Sequence, residues 1–190
     1  MTDQSTSPAG VLCLVVGPSG AGKDTLLDGA RSRLAPTFSF PTRVITRPID
    51  AGGEAHEAVT EACFDALERD GAFALAWRAH GLCYGVRASS LDHLRTGGNV
   101  VVNVSRGIID AARVSYPRVH VFSIRVPEAE LRQRLLSRQR EDRDAIEARI
   151  ARATAFRVAG KDVTEIVNDQ DPDTGIGRFV AALRSATATP

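Results

Sequence analysis

One short segment restricts the fold of this chain more than any other feature of its sequence. Residues 17–23 read Gly-Pro-Ser-Gly-Ala-Gly-Lys, which is the pattern G-x-x-x-x-G-K. Six apolar residues at 11–16 precede the segment, and residues 25–34 follow it with apolar side chains at helical spacing. A glycine-rich turn between a buried strand and a helix lets backbone N–H groups surround an anion, and a lysine adds positive charge. The segment therefore predicts a phosphate-binding loop in an α/β domain.

The lysine of this loop is conspicuous because lysine is rare in the chain. The sequence holds 22 Arg and only 2 Lys, at Lys23 and Lys161. We attribute the imbalance mainly to a genomic bias towards arginine codons. A lysine that is kept in the loop then indicates a need for a compact point charge, which the fork of an arginine replaces poorly. We therefore predict that Lys23 binds the β- and γ-phosphates of a nucleotide.

Charge, cysteine usage and hydropathy exclude several classes of protein. The net charge of +1 over 190 residues argues against a nucleic-acid surface. No apolar run approaches the roughly 20 residues that cross a bilayer, and residues 1–10 do not resemble a secretory signal. Three scattered cysteines favour reduced thiols, and the four histidines lack metal-ligand spacing. We expect a cytoplasmic protein that binds neither nucleic acid nor membrane, with monomer and homodimer both open.

Strand and helix patterns alternate along the chain, which predicts an α/β fold with a parallel sheet. Strands are predicted at 11–16, 44–45, 73–79, 82–86, 100–104, 119–126 and 164–167. Helices are predicted at 25–34, at 60–69 with Thr60 as the cap, at 90–95, after residue 106, from Pro127, at 138–157 and at 176–183. Residues 73–86 are expected to form a hairpin around His80-Gly81.

We expect a single domain at 10–184 with flexible tails at 1–9 and 185–190. The core of this domain is predicted at 10–41, 91–137 and 158–184. A small α/β subdomain at 42–90 and a charged helical segment at 138–157 interrupt the core.

The loop resembles that of guanylate kinases, and the similarity continues over roughly residues 10–184. It includes Thr46-Arg47-Pro48, Gly53-Glu54, Val59-Thr60 with Phe64, His80-Gly81 with Tyr84-Gly85, and the arginine-rich segment 138–149. The resemblance implies a P-loop NTPase fold of the guanylate-kinase-like type, with an inserted acceptor-binding subdomain at 42–90 and a helical lid at 138–157. It also implies that Asn168 lies near the nucleotide base.

The departures from guanylate kinases are concentrated in the acceptor site. Leu75 stands where that family has a Glu that hydrogen-bonds guanine, and Asp50 replaces one of its two arginines. His56 replaces a Tyr, Asn103 replaces an Asp and Arg43 replaces a Ser. An apolar side chain cannot accept hydrogen bonds from guanine, so we expect the guanine site to be lost.

The same positions resemble the ribose 1,5-bisphosphate phosphokinases of bacterial phosphonate utilisation. The shared motifs are Gly-Lys-Asp-Thr in the loop and the segments 43–48, 51–59, 77–85 and 102–106. This resemblance implies that the chain uses ATP with Mg²⁺ to convert ribose 1,5-bisphosphate to 5-phosphoribosyl 1-diphosphate, with release of ADP.

Candidate site residues follow from the loop and from the resemblance. The ATP set is Gly17, Pro18, Ser19, Gly20, Ala21, Gly22, Lys23, Asp24, Thr25 and Asn168. The catalytic set is Lys23 with Arg138 and Arg149 of the lid, where Arg140 is a further candidate. The acceptor set is Arg43, Arg47, His56, Tyr84, Asn103 and Arg106.

One position departs from the loop pattern itself. A Ser or Thr normally follows the lysine and binds Mg²⁺, whereas here Asp24 follows and Thr25 comes next. A carboxylate is a good oxygen ligand for Mg²⁺. We therefore expect either Asp24 or Thr25 to hold the metal.

Other interpretations stay open from the residues alone. The lid arginines also suit a solvated ion-pair helix, and His56 and His80 also suit structural roles. Trp77 is expected in the core of the subdomain. The alternative functions are a guanylate or other nucleoside monophosphate kinase and a non-catalytic binding module of the same fold.

Overall fold

Two sheets and the helices around them form the chain, in a computed structural model that describes residues 9–51, 54–137, 143–154 and 157–188. The strands are β1 (Leu12–Val16), β2 (Phe38–Ser39), β3 (Arg43–Ile45), β4 (His56–Ala58), β5 (Phe73–Ala79), β6 (Leu82–Arg87), β7 (Asn99–Asn103), β8 (Val119–Arg125) and β9 (Val163–Val167). The helices are α1 (Lys23–Leu34), α2 (Glu61–Arg69), α3 (Asp92–Arg95), α4 (Ile109–Ser115), α5 (Glu128–Ser137), α6 (Arg143–Thr154) and α7 (Pro172–Thr187).

The first sheet is parallel and has the strand order β2-β7-β1-β8-β9. β1 lies in the centre, and all five of its residues are buried, as expected for a strand covered on both faces. The chain leaves β1 towards β2 on one side, whereas β8 and β9 lie on the other side. This reversal opens a crevice beyond the carboxyl ends of the strands, where open α/β sheets bind their ligands.

The second sheet is built from residues 43–87 in the order β4-β3-β6-β5. β5 and β6 form the predicted hairpin, in which Ala79 pairs with Leu82 across the two-residue turn. His80 and Gly81 have φ angles of 53° and 73°, which is the left-handed conformation that a tight two-residue hairpin turn requires. The turn therefore carries a histidine at a position that asparagine and glycine usually occupy.

Two hydrophobic layers hold the first sheet in place. On one face α1 and α7 pack against the strands, and Phe179 meets Phe122 edge to face with ring centroids 5.8 Å apart. On the other face the second sheet contributes Leu75 and Trp77 to the cluster that contains Leu14. The second sheet is thus anchored to the strand that leads into the phosphate loop.

The structure corrects the sequence-based boundaries at several places. α7 runs from Pro172 to Thr187, because Asp171 caps its first turn and a proline occupies its first position. Residues 185–187, which were predicted to belong to a tail, continue α7. The predicted helix at 138–157 is helical at 143–154, whereas residue 157 lies outside the helix and residues 138–142 lie outside the described part. The strands β2 and β4, of two and three residues, were not predicted.

The helices were compared with the length and apolar character of membrane-spanning segments. Over the described ranges, no helix combines the length and the apolar character that a bilayer-spanning segment needs.

Two glycines of α7 provide a matched test of its packing. A Cβ on Gly175 would lie 2.4 Å from Asn168 Oδ1 and 3.2 Å from a Leu26 methyl carbon, whereas nothing lies within 4 Å of a Cβ on Gly177. We expect Gly175→Ala to lower the free energy of unfolding by roughly 1–3 kcal/mol through overpacking. Gly177→Ala should raise it by up to about 1 kcal/mol through helix propensity. Urea denaturation of both variants checks this, and equal effects would contradict the packing.

Candidate active site

The loop at residues 17–23 connects β1 to α1 and is folded around its own lysine. Gly20 and Gly22 have φ angles of 93° and 81°, a conformation that a residue with a side chain rarely adopts. The backbone N–H of Ala21 donates to the carbonyl oxygen of Pro18 at 3.2 Å. Lys23 Nζ donates to the carbonyl oxygens of Gly17 and Pro18 at 2.8 and 3.0 Å. The ammonium group is thus held at the edge of the loop, beside the N-terminus of a helix that favours anions.

Asn168 is buried against the phosphate loop and hydrogen-bonds to it. The side chain is 6% exposed, and its amide donates to the carbonyl oxygen of Ala21 at 2.8 Å. The backbone oxygen of Asn168 accepts from Arg134 at 3.1 Å, and a Cβ on Gly22 would lie 2.7 Å from the Asn168 amide nitrogen. The geometry supports a positioning role for Asn168, and its predicted proximity to a nucleotide base stays a prediction.

A cleft of about 660 Å³ extends from the loop to the second sheet. Six cationic side chains line it, namely Lys23, Arg43, Arg47, Arg106, Arg149 and Arg152. Glu54 is the single carboxylate among its described lining residues, which also include Ser19, Trp77, His80, Tyr84 and Asn103. This excess of positive charge suits ligands that carry several phosphates.

Arg43 is committed to a built network in the floor of this cleft. The residue is 8% exposed, its Nε donates to Glu54 at 3.1 Å, and one terminal nitrogen donates to the second carboxylate oxygen. Another terminal nitrogen donates to the carbonyl oxygen of Asn103 at 3.0 Å. The guanidinium lies 5.2 Å from the ring of Tyr84, which stacks on Trp77 with centroids 5.4 Å apart. Both oxygens of the Glu54 carboxylate are therefore paired with Arg43.

Arg47 lines the same cleft without a carboxylate within ion-pair distance among the described residues. The Nε atom of Arg47 is buried and has no hydrogen-bond partner. Buried polar groups of native proteins nearly always have partners, so Arg47 is a cleft-lining guanidinium whose donors the chain does not fully satisfy. His56, which was predicted to contact the acceptor, is 7% exposed and does not line the cleft, whereas Tyr84 and Asn103 do.

The two candidate metal ligands differ in their surroundings. Asp24 lies in the first turn of α1 and accepts a hydrogen bond from the Asn103 amide at 3.3 Å. It lines a second cleft of about 280 Å³ together with Asn103 and Glu54. Thr25 is exposed and lines neither cleft. Within the described ranges no group of three His, Cys, Asp or Glu side chains could hold a metal by itself.

The helix α6, which is the described part of the predicted lid, reaches the phosphate loop. Arg149 donates to the hydroxyl oxygen of Ser19 at 3.1 Å. Arg152 lines the cleft as well, although the sequence analysis did not single it out. Its spacing of three residues from Arg149, which places both on one helix face, was the available signal. The candidates Arg138 and Arg140 lie outside the described residues.

Burial alters the acid–base behaviour of two cations in the cleft. It lowers the pKa of the Lys23 ammonium to about 8, an effect that the charges of Arg43 and Arg106 reinforce and those of Asp24 and Glu54 oppose. Burial also lowers the pKa of Arg106. A lysine with a lowered pKa marks a site that favours an incoming anion, because the anion restores the stability of the charged form.

Proteins of known name resemble the chain over most of its length. The ribose 1,5-bisphosphate phosphokinase PhnN of Chelativorans sp. is 41% identical over 94% of this chain and 87% of its own length. The PhnN of Pseudomonas paraeruginosa is 49% identical over 77% of this chain and 80% of its own length. The bifunctional ribose 1,5-bisphosphokinase-thymidine phosphorylase of Azorhizobium caulinodans is 45% identical over 97% of this chain. The chain spans only 27% of that bifunctional protein, and no family model matches the chain.

Solved structures share the fold at low sequence identity. A guanylate kinase from Anaplasma phagocytophilum matches with a TM-score of 0.69 and 20% identity, over 96% of this chain and 89% of its own. A gluconokinase from Sinorhizobium meliloti 1021 matches with a TM-score of 0.52 and 16% identity, over 95% of this chain and 94% of its own. These matches confirm the predicted guanylate-kinase-like α/β fold.

The lowered pKa of Lys23 predicts a pH-dependent affinity for ATP. The free loop loses this charge as the pH rises through about 8, whereas bound phosphates favour the protonated amine. ATP binding should therefore take up a proton above pH 8, and the affinity should fall by up to about tenfold per pH unit.

Titration of a non-hydrolysable ATP analogue at about pH 7, 8 and 9 measures this dependence. The terminal phosphate of the analogue is titrated separately and its contribution is subtracted, so that the remaining pH dependence belongs to the protein. A Lys23→Met variant should bind weakly and without this pH dependence. An affinity of the unmodified protein that is constant from pH 7 to 9 would refute the assignment.

Proposed function

This chain belongs to the ribose 1,5-bisphosphate phosphokinase family, and on that premise we propose that it transfers the γ-phosphoryl group of ATP to ribose 1,5-bisphosphate. The products are ADP and 5-phosphoribosyl 1-diphosphate. The observation that carries the proposal is the cleft, whose described lining joins a phosphate loop to six cations and a single carboxylate, which is already paired. The proposal leaves out the thymidine phosphorylase named in the longer relatives, because this chain spans about 27–30% of the first three of them.

The donor end of the cleft is the phosphate loop. The backbone N–H groups of the loop and the N-terminus of α1 bind the anionic oxygens of ATP. Lys23 then exchanges its present acceptors, the carbonyl oxygens of Gly17 and Pro18, for the terminal phosphates. Arg149 lies beside Ser19 and is placed to neutralise charge on the group in transfer.

The acceptor end of the cleft is formed by the second sheet and the end of β7. Arg47, whose Nε lacks a partner, binds one phosphate of the sugar. Asn103 ends β7 and Arg106 lies three residues later, and both take part in binding the sugar or its other phosphate. Arg43 and Tyr84 form the stacked wall against which the sugar lies.

The chemistry of the acceptor explains why a carboxylate base is dispensable. The attacking oxygen belongs to the 1-phosphate, which is anionic at neutral pH because its second pKa lies near 6. This oxygen bonds to the γ-phosphorus while the bond from that phosphorus to the bridging oxygen breaks. The electron pair leaves with ADP, and no proton has to be removed. Alignment and charge neutralisation then supply the catalysis.

The residues near the loop fit a magnesium ion with ATP. Asp24 presents an exposed carboxylate next to Lys23, and Thr25 presents an exposed hydroxyl one residue later. Both groups are hard oxygen donors of the kind that Mg²⁺ accepts beside phosphates. When bound there, Mg²⁺ would supply charge neutralisation during the phosphoryl transfer. Of the two residues, Asp24 has the stronger support because the Asn103 amide orients it.

A nucleotide acceptor has less support from the second sheet. Leu75 is 4% exposed and packs in the core together with Trp77. Neither an apolar side chain nor a core position can read the hydrogen-bonding edge of guanine. We further propose that the enzyme works in the cytoplasm, where ATP is available, and that ATP and ribose 1,5-bisphosphate are its small-molecule partners.

The first test compares acceptors at equal concentration. Mg-ATP is offered with ribose 1,5-bisphosphate, GMP or ribose 5-phosphate, and ADP release is followed. The bisphosphate should react fastest, since it alone offers a sugar 1-phosphate. Lys23→Met should lose at least about a hundredfold in kcat while it remains folded by circular dichroism. Faster turnover of GMP would overturn the proposal.

The second test concerns the acceptor arginine. Arg47→Met should raise the KM for the bisphosphate by roughly 10- to 100-fold, the range for a lost hydrogen bond to a charged group, and leave the KM for ATP nearly unchanged. Arg69→Met is the matched control, because Arg69 is exposed and bonds only its own helix in the described contacts. Equal effects of the two substitutions on this KM would contradict a role of Arg47 in acceptor binding.

The third test concerns the metal. Asp24→Ala should raise the Mg²⁺ concentration for half-maximal activity by roughly tenfold or more, because an oxygen ligand is lost. Thr25→Ala should have a smaller effect. Magnesium titrations at saturating ATP separate the two residues, and an unchanged requirement in Asp24→Ala would transfer the role to Thr25.

A further inference from the structure

His56 lies behind Arg47, and its imidazole is surrounded by protein. We propose that His56 is a positioning residue, which fixes the guanidinium of Arg47 for the acceptor phosphate and does not touch the acceptor itself. The inference deepens the proposed function and rests on it.

The contacts of His56 carry the inference. Nε2 lies 3.0 Å from the carbonyl oxygen of Arg47. Nδ1 lies 3.0 Å from the carbonyl oxygen of Glu54 and 3.2 Å from a terminal nitrogen of Arg47. The residue is 7% exposed and does not line the cleft. Both ring nitrogens are therefore engaged by the chain, which leaves neither for a substrate.

The position of His56 in the second sheet gives these contacts their effect. β3 and β4 are parallel neighbours, and Arg43 pairs with His56 in their register. The connection between the two strands contains Arg47 near its start and Glu54 near its end. His56 donates to the carbonyl oxygen of Arg47, and Nδ1 accepts from the Arg47 guanidinium, which also donates to the carbonyl oxygen of Glu54 at 3.5 Å. The imidazole and the guanidinium together therefore tie the two ends of the connection. Glu54 in turn holds Arg43, and one network therefore orients both arginines.

The hydrogen-bonding roles of the imidazole favour one tautomer. A proton on Nε2 lets the ring donate to the carbonyl oxygen of Arg47, and Nδ1 then accepts from the guanidinium of the same residue. A single neutral imidazole thus hydrogen-bonds to both the backbone and the side chain of Arg47. The Nε atom of the same guanidinium is buried and has no hydrogen-bond partner, so the chain does not use all the donors of Arg47.

A double-mutant cycle separates positioning from a merely structural role. The four proteins are the unmodified chain, His56→Phe, Arg47→Met and the double variant. His56→Phe keeps a planar ring and removes both nitrogens. It should raise the KM for ribose 1,5-bisphosphate by roughly tenfold and leave the KM for ATP within about twofold. In the Arg47→Met background the same change should add less than about twofold.

Additive effects in this cycle would overturn the inference, because His56 would then act independently of Arg47, for example by direct contact with the acceptor. A parallel rise in both KM values would overturn it as well, since it would indicate a general structural defect. His56→Gln serves as the second variant if the phenylalanine variant is unstable, and it is judged by the same cycle. His120→Phe is the matched control, because it removes a part-buried histidine bonded to Thr164 and should leave the acceptor KM unchanged.

A binding measurement keeps this test distinct from that of the proposed function. Inorganic phosphate is titrated into the four proteins with the donor loop saturated by a non-hydrolysable ATP analogue. Loss of phosphate affinity in His56→Phe only when Arg47 is present supports the inference whatever the acceptor is. Equal loss in both backgrounds contradicts it. Failure of the proposed function would appear instead in the unmodified enzyme, as absent turnover of the bisphosphate.

Discussion

Mutual repulsion among six cations in one cleft is the constraint on which the rest of the structure depends. Three of these cations hydrogen-bond to carbonyl oxygens, to a carboxylate or to an imidazole of the chain. Carbonyl oxygens of the loop hold Lys23, Glu54 holds Arg43, and His56 holds Arg47. Fixed in this way, the charges need little reorganisation when polyanions arrive, and preorganised charge contributes most to transition-state stabilisation. Burial is the main reason that the pKa of Lys23 is lowered to about 8, and the charges of Arg43 and Arg106 lower it further.

The same constraint explains why the two sheets have to be joined tightly. The phosphate loop follows β1, whereas Arg43 and Arg47, which we propose for acceptor binding, lie in β3 and in the β3–β4 connection of the second sheet. Leu75 and Trp77 pack against the core of the first sheet, and Arg43 bonds to the carbonyl oxygen of Asn103 at the end of β7. These contacts set the distance between the proposed donor end and the proposed acceptor end of the cleft. A small misalignment between reacting groups is costly for a reaction that relies on alignment instead of a base.

Local patterns in the sequence predicted the elements that local forces determine. The loop, the buried strand before it, the cap at Thr60 and the hairpin turn all follow from residues a few positions apart. The contacts that support the loop could not be predicted from such local patterns, because they join residues that are distant in sequence. For example, Asn168 bonds to Ala21, which lies 147 positions away. Glu54 was present in a motif, but its pairing with Arg43 depends on the packing of the connection between β3 and β4. His56 was predicted on the substrate for the same reason, since its burial is a tertiary property.

Phosphorus NMR of the reaction products tests the central claim most directly, because the claim specifies which bond is made. Transfer to the 1-phosphate oxygen creates a P–O–P linkage on the sugar. The account predicts a new pair of coupled phosphorus signals that grows in step with ADP, while the signal of the 5-phosphate keeps its multiplicity. Formation of ADP with inorganic phosphate alone, or coupled product signals only when a nucleoside monophosphate is supplied, would contradict it.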